Sequence, residues 1–188
     1  MLIFSSTNGR YRLGRKRKNE IANNLVDMLE DGGKPTTDTM LFLNEWLSIG
    51  GRRLKVFIDV WNIVLDSINC AYNNPYPVLY RARSKRSRTV EGRISSYTGS
   101  FDNALNFNRD VIVVLNIEDA ARHWHSSDAK RTLDNREGFY FSYYPLAKVM
   151  KKHNIYTEFL PEDEYIVRET SAGTKVFRLY VSRKRNYI

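Results

Sequence analysis

Cysteine is nearly absent from this chain of 188 residues, and long apolar runs are missing as well. The single cysteine, Cys70, excludes an internal disulfide, so we expect a reducing compartment. No run approaches the roughly 18 apolar residues of a membrane span. The apolar start MLIF is too short for a signal-peptide core and precedes its positive charges. These absences predict a cytoplasmic protein that has no membrane partner.

Histidine and glycine-rich phosphate loops are scarce too. His123 and His125 flank Trp124, but together with the distant His153 they fall short of a closed zinc site. The chain contains neither a Gly-x-Gly-x-x-Gly pattern nor a P-loop, so the common dinucleotide and nucleotide folds are unsupported. We therefore predict that the chain holds no metal.

Positive charge is in excess and unevenly distributed. The chain has 30 Lys and Arg against 21 Asp and Glu, a net charge of +9, which favours an anionic partner. Residues 1–18 contain no acidic residue, and we expect them to form a mobile basic arm. The arm is either a solvated tail or a tether to phosphates or to an acidic protein. Its cations are Arg10, Arg12, Arg15, Lys16, Arg17 and Lys18.

The order of the predicted elements is helices first and strands afterwards, which is typical of an α+β domain. Apolar spacing predicts a helical front over residues 19–74 and a β core over 76–182, within a single domain 19–188. The predicted helices are 19–30, 36–49, 54–72, 102–107 and 143–152, and the predicted strands are 78–80, 111–115, 155–159, 165–167 and 176–181.

Three short motifs follow one another in the second part of the chain. Arg81 stands in the apolar segment LYRA, Ser96-Tyr97-Thr98 precedes a short helix, and Glu162-Asp163-Glu164 opens a strand. Each motif alone is common on the surface of a sheet, but their order is informative. In this order the sequence resembles the arginine–serine–glutamate class of mono-ADP-ribosyltransferases, and within it the small phage-encoded enzymes that modify host proteins. The resemblance covers roughly residues 76–182.

The resemblance implies a fold and an activity. The fold is the split β-sheet core of ADP-ribosyltransferases behind N-terminal helices. The activity is cleavage of NAD, as a substrate, and transfer of ADP-ribose to an arginine of a cytosolic host protein, such as a component of the transcription or translation machinery. No metal takes part in this reaction.

The resemblance also assigns the catalytic residues. Breaking the bond between nicotinamide and ribose leaves positive charge on the sugar carbon, and a fixed carboxylate stabilises that charge. This carboxylate is assigned to Glu164, with Ser96 as its hydrogen-bond partner. Glu162 is assigned to the acceptor arginine, which must lose a proton as it attacks. Strand alternation puts Glu162 and Glu164 on one face.

NAD binding is assigned to residues of the first two motifs. Arg81 is expected to hold the dinucleotide phosphates, because a guanidinium pairs with phosphate oxygens in a bidentate way. Thr98 shares a face with Ser96 and is expected to shape the floor of the pocket. Tyr97 and Phe101 either stack on nicotinamide or pack in the core.

Two other functions stay open at this point. In the first, the basic arm brings DNA or RNA to the same enzyme, and ADP-ribose is transferred to nucleic acid. In the second, the chain is a basic nucleic-acid-binding or inhibitor protein without catalysis, whose binding falls steeply with salt. Turnover of NAD separates the second from both enzyme hypotheses.

Overall fold

The computed structural model describes residues 13–30, 32–48, 55–68, 78–107, 109–127, 142–156 and 163–179. These residues form six helices and one six-stranded antiparallel sheet, which confirms the predicted α+β class. Within them, no helix has both the length and the apolar character that crossing a membrane requires. The elements are α1 (Arg15–Glu30), α2 (Thr37–Ser48), α3 (Lys55–Ser67), β1 (Val78–Arg83), β2 (Ile94–Thr98), α4 (Phe101–Asn106), β3 (Val111–Asn116), α5 (Ile117–Ser127), β4 (Tyr143–Tyr144), α6 (Leu146–Lys152), β5 (Glu164–Arg168) and β6 (Thr174–Arg178).

The first three helices pack around a cluster of aromatic side chains. The rings of Trp46 and Trp61 meet edge to face with centroids 5.6 Å apart, and Phe42 and Phe57 lie beside them. Tyr144 of β4 reaches the same cluster, with its ring 5.3 Å from that of Trp61. The aromatic cluster therefore joins the helical front to the sheet. The core it belongs to also includes Ile21, Ala22, Leu25 and Met28 of α1, Ile94 of β2 and Ile166 of β5.

Helix α1 begins at Arg15, four residues before the predicted start at Asn19. The last four residues of the expected arm are therefore helical. Two of their cations pair with the other two helices of the front: Arg17 with Asp38 at 2.9 Å and Lys18 with Asp59 at 2.6 Å. Residues 1–12 of the arm lie outside the described residues.

The sheet has the strand order β4-β5-β2-β1-β3-β6. Strand β1 pairs with β3 along its whole length, from Val78 opposite Asn116 to Arg83 opposite Val111. Between β1 and β2, by contrast, the register contains one pair, Tyr80 opposite Thr98. The sheet is thus continuous over its six strands, and β1 pairs with β2 over a much shorter length than with β3.

The two faces of the sheet have different environments. One face of β2 and β5, with Ile94 and Ile166, packs on the helical front. Side chains on the alternate positions form a second core with α5. This second core contains Leu79, Tyr97, Val113, Leu115, Ile117, Ala120, Ala121, Tyr165 and Val167.

Several predicted elements differ from the structure. The helix predicted over 143–152 begins only at Leu146, because Tyr143 and Tyr144 pair with β5 as a short strand before Pro145. Ile155 and Tyr156 lie in no strand, and the rest of the strand predicted over 155–159 is outside the described residues. Helix α3 ends at Ser67, and residues 69–72 of its predicted extent are likewise outside.

Helix α5 was not predicted, although its start carries a recognisable signal. The side chain of Asn116 accepts a hydrogen bond from the backbone N–H of Asp119 at 3.0 Å, which caps the helix. Glu118 and Asp119 lie in the first turn, where negative charge is favourable.

Candidate active site

Ser96 and Glu164 are brought together by the pairing of β2 with β5. Ser96 lies opposite Ile166, and Glu164 lies opposite Thr98, so the two side chains are diagonal neighbours on one face. The Ser96 hydroxyl donates a hydrogen bond to Glu164 Oε1 at 2.5 Å. Glu164 as a whole is only 7% exposed, and its side chain faces the helical front. The hydrogen bond expected from the motifs is therefore present.

Trp46 supplies a second donor to the same carboxylate oxygen. Its indole Nε1 lies 3.2 Å from Glu164 Oε1. The ring is fully buried between Phe57 and Trp61, so the position of this donor is fixed by packing. A hydroxyl from the sheet and an indole from α2 thus orient one carboxylate. Trp46 carries no functional signal in the sequence, because its position on the apolar side of α2 is that of an ordinary core residue.

Arg81 reaches β2 where the two strands no longer pair. Its Nη1 donates to the backbone carbonyl of Ser96 at 3.0 Å. The guanidinium carbon lies 5.8 Å from the centre of the Tyr97 ring, and Nε is 4.0 Å from Glu169 Oε1. These contacts lie on the side of Leu79 and Tyr97, away from the Glu164 carboxylate. They give Arg81 a positioning role for β2, and its expected contact with dinucleotide phosphates stays a prediction.

Ser96 is therefore the residue through which the three motifs meet. Its side chain contacts Glu164, and its carbonyl contacts Arg81. The first contact lies on the front side of the sheet and the second on the side of the second core. The motif residues are adjacent, but they do not all face one pocket.

The remaining predicted binding residues occupy different environments. Thr98 is buried directly opposite Glu164, and its hydroxyl oxygen accepts from the Ser100 backbone N–H at 3.1 Å. Phe101 opens α4 with 44% of its surface exposed, and its ring meets Tyr80 edge to face at 5.5 Å. Phe101 is thus available for stacking on the side of Thr98.

Tyr97 points to the opposite side of β2, into the second core. It is 3% exposed, and its hydroxyl has no hydrogen-bond partner among the described residues. Burial raises the pKa of Tyr97 to about 12. Of the two alternatives for this residue, its burial favours core packing over stacking on nicotinamide.

The turn before β5 is held tightly against the end of β2. Asp163 has a positive φ of 51°, an unfavourable conformation for a residue with a side chain. Its carbonyl accepts from the Gly99 N–H at 3.2 Å. A Cβ at Gly99 would press on the Asp163 carboxylate and lie 3.2 Å from the Tyr165 ring. The missing side chain at Gly99 lets the turn approach and sets the start of β5 at Glu164. Glu162 lies outside the described residues.

Glu169 is a buried carboxylate that the sequence analysis did not identify. It accepts hydrogen bonds from Ser95 Oγ at 2.8 Å, from Arg93 Nη2 at 2.9 Å and from the Val90 N–H at 2.8 Å. Burial alone raises the pKa of this carboxyl. The three hydrogen bonds, together with the charge of Arg81, outweigh burial and hold the pKa of Glu169 below its ordinary value. Glu169 thereby anchors the loop that connects β1 to β2.

In the part of the chain that the structure describes, no three His, Cys, Asp or Glu residues are grouped so that they could hold a metal ion. His153 Nε2 lies 2.9 Å from the Met28 carbonyl oxygen. His123 and His125 belong to α5, but their side chains, like Cys70, lie outside the described residues.

Comparisons of the chain with protein-family models, with curated proteins and with solved structures find no match. A functional assignment therefore depends on the order of the motifs and on the contacts around Ser96 and Glu164.

Proposed function

We propose that this protein is an NAD-dependent mono-ADP-ribosyltransferase of the arginine–serine–glutamate class, similar to the phage-encoded enzymes that modify host proteins. The observation that carries the proposal is the hydrogen bond of 2.5 Å between Ser96 Oγ and Glu164 Oε1. It joins the second and third motifs in the way that the resemblance requires. The contact of Arg81 with the Ser96 carbonyl brings the first motif next to the other two, from the opposite side of the sheet.

The proposed chemistry uses Glu164 as the fixed negative charge. The bond between the nicotinamide nitrogen and the ribose carbon breaks, and its electron pair leaves with nicotinamide. The sugar carbon becomes cationic, and the carboxylate beside it stabilises that charge. Donors from Ser96 and Trp46 hold the carboxylate in place before the reaction, so little reorganisation is needed in the transition state.

The acceptor is an arginine side chain of a host protein, with the transcription or translation machinery as the expected class of target. A guanidinium nitrogen attacks the sugar carbon, and the proton that it loses passes to the carboxylate of Glu162. The product is an ADP-ribosylated arginine, and nicotinamide is the other product.

The architecture supports a dinucleotide site next to Glu164. Strands β1 and β2 share one registered pair, Tyr80 with Thr98, and the proposal takes this narrow junction as the split of the ADP-ribosyltransferase sheet. Phe101 and Tyr80 offer accessible aromatic surface on the side of Thr98 and Glu164. NAD is a substrate in this proposal, and no metal is required.

Transfer is tested by incubating the full chain with NAD labelled in its adenylate part and a cell lysate. The proposal predicts labelled material that protease removes and nuclease does not, with ADP-ribose located on arginine by mass spectrometry. Glu164→Gln should abolish labelling, whereas Glu118→Gln, at an exposed carboxylate of α5, should leave it unchanged.

Three results would contradict the proposal in different ways. Label removed by nuclease alone would establish a nucleic-acid acceptor. Label on a protein residue other than arginine would refute the assigned acceptor. No labelling and no release of nicotinamide would leave a non-catalytic basic protein.

A further inference from the structure

One corner of the sheet collects exposed positive charge and exposed aromatic rings. Arg83 at the end of β1, Val111 at the start of β3 and Arg178 at the end of β6 lie side by side in the ladder. The loop after Arg83 and the residues before Val111 therefore emerge at the same corner. We name as the basic corner the exposed residues Lys85, Arg86, Arg88, Arg109 and Arg178, with Phe107 and Phe177.

The corner is held together by one aspartate. The Asp110 carboxylate accepts from the Lys85 backbone N–H at 3.0 Å, and its carbonyl accepts from the Leu179 N–H at 2.9 Å. The loop after β1 is fixed at its other end by Glu169, which binds the Val90 N–H. The loop that carries these cations is therefore held by hydrogen bonds at both of its ends.

The charge balance of the corner is strongly positive. Within the described segments 83–88, 109–110 and 174–179, Asp110 is the single carboxylate. Beneath the loop, Arg83 is only 8% exposed, and its Nε and Nη1 have no hydrogen-bond acceptor among the described residues. Two buried guanidinium nitrogens without acceptors are unfavourable, and with the exposed cations around the loop they favour an anion at the corner.

The aromatic side chains narrow the class of anion. Phe107 is 62% exposed and Phe177 is 52% exposed, which is unusual for rings of this size. On β6, Phe177 shares a face with the exposed Lys175, and the exposed Arg178 follows on the other face at the end of the strand. Exposed rings among phosphate-binding cations are the pattern on which unpaired bases stack. The bases of a duplex are already stacked on one another, so they do not need these rings. An acidic protein surface would need only the cations, so it does not account for the rings.

We infer that the basic corner binds a single-stranded nucleic acid, with arginine and lysine on its phosphates and Phe107 and Phe177 on its bases. The inference goes beyond the proposed function, because no residue of the corner belongs to the set around Ser96 and Glu164. The surface would bring the enzyme to acceptors that are associated with nucleic acid.

The experiment measures binding of the full chain to a fluorescein-labelled oligouridylate by anisotropy over a series of salt concentrations. The corner variant carries Arg86→Glu, Arg88→Glu and Arg178→Glu. The matched control carries Lys16→Glu, Lys151→Glu and Lys152→Glu, three exposed cations of α1 and α6, and has the same net charge. A third variant carries Phe177→Ala. Release of nicotinamide and thermal unfolding are followed for every variant.

The inference predicts that wild type binds the oligouridylate and that the corner variant binds far more weakly. The salt slope of the corner variant should be smaller by about 2, because three phosphate contacts are lost. The control should bind as wild type does within about twofold, and Phe177→Ala should weaken binding about tenfold through lost stacking. Folding and release of nicotinamide should be unchanged in all variants.

Three results would overturn the inference. In the first, wild type does not bind at low salt. In the second, the control loses as much affinity as the corner variant, so that net charge or the N-terminal cations alone are responsible. In the third, Phe177→Ala binds normally while a poly-glutamate peptide displaces the oligonucleotide, so that the corner is a site for an acidic protein.

Discussion

Ser96 donates its hydroxyl hydrogen to Glu164, while its neighbour Ser95 donates to Glu169 on the opposite face of the sheet. The two distances are 2.5 Å and 2.8 Å. Strand alternation sends adjacent serines to opposite sides, so one segment supports two buried glutamates with different surroundings. Glu164 faces the helical front, and Glu169 anchors the loop between β1 and β2. The two serines therefore form a matched pair for separating the proposed catalytic role of Glu164 from stability.

Ser96→Ala is expected to slow the release of nicotinamide from NAD about tenfold to a hundredfold, because a hydrogen bond to a charged group contributes about 1.5–3 kcal/mol. Ser95→Ala removes an equivalent bond from Glu169, and it should lower thermal stability with little change in the rate. Both are measured by nicotinamide release and thermal unfolding. Equal loss of activity in the two variants would contradict a specific role for Ser96.

Trp46→Phe keeps an aromatic ring in the helical core and removes the N–H that reaches Glu164 at 3.2 Å. We expect kcat for nicotinamide release to fall about tenfold, with KM for NAD within about twofold of wild type, because only the orientation of the carboxylate changes.

Trp61→Phe is the matched control for this variant. Trp61 is equally buried in the same cluster, but its Nε1 has no hydrogen-bond partner among the described residues. The Trp61→Phe variant should lose as much stability as Trp46→Phe does, and its kcat should stay at the wild-type value. If both variants lose kcat alike, Trp46 acts through packing and not through its donor.

Gly99→Ala is expected to disturb the turn that precedes Glu164. The new Cβ would meet the Asp163 carboxylate and the Tyr165 ring, an overpacking that destabilises by about 1–3 kcal/mol. The rate of nicotinamide release should fall together with the stability, because the start of β5, where Glu164 lies, must shift. Gly14→Ala, at a position with no atom within 4 Å of the added carbon, should leave stability and activity unchanged. A Gly99→Ala protein with wild-type stability would show that the contact yields without cost.

Glu169→Gln is expected to change how stability depends on pH. The pKa of Glu169 is lowered in the folded protein, so its ionised form stabilises the fold above the unfolded value of about 4.3. This stabilisation is lost as the pH falls through the lowered pKa. At pH 7 the variant should be less stable by about 2 kcal/mol. The difference in the free energy of unfolding between wild type and the variant should disappear as the pH falls below about 4.

The measurement is chemical denaturation of both proteins from pH 7 to pH 3. Glu20→Gln, at an exposed carboxylate of α1, should stay within about 0.5 kcal/mol of wild type at pH 7. A gap that remains constant over the whole pH range would show that Glu169 acts through shape and not through its charge.

Local patterns in the sequence were sufficient for much of the fold. The β-branched run from Val111 to Leu115 predicted β3, and apolar spacing predicted the three helices of the front within a few residues. The short strand β4 was not predicted, because two tyrosines acquire strand conformation only through their pairing with β5. Such pairing depends on residues distant in sequence.

The site could be predicted in part, for the same physical reason. Motif order predicted the contact between Ser96 and Glu164, and strand alternation correctly put Thr98 on their side. The side on which Arg81 lies depends on which residue of β1 meets β2, and one pair, Tyr80 with Thr98, decides it. Trp46 contacts Glu164 across 118 positions of sequence, a contact created by the packing of α2 and invisible in any local pattern.

The most direct test of the account is the rate of nicotinamide release from NAD by wild type and by Glu164→Gln, with thermal unfolding measured in parallel. The account predicts that wild type releases nicotinamide and that the variant, folded as wild type is, releases it at least about a hundredfold more slowly, because the charge beside the sugar carbon is gone. Equal rates for the two folded proteins, or no release by wild type, would contradict it.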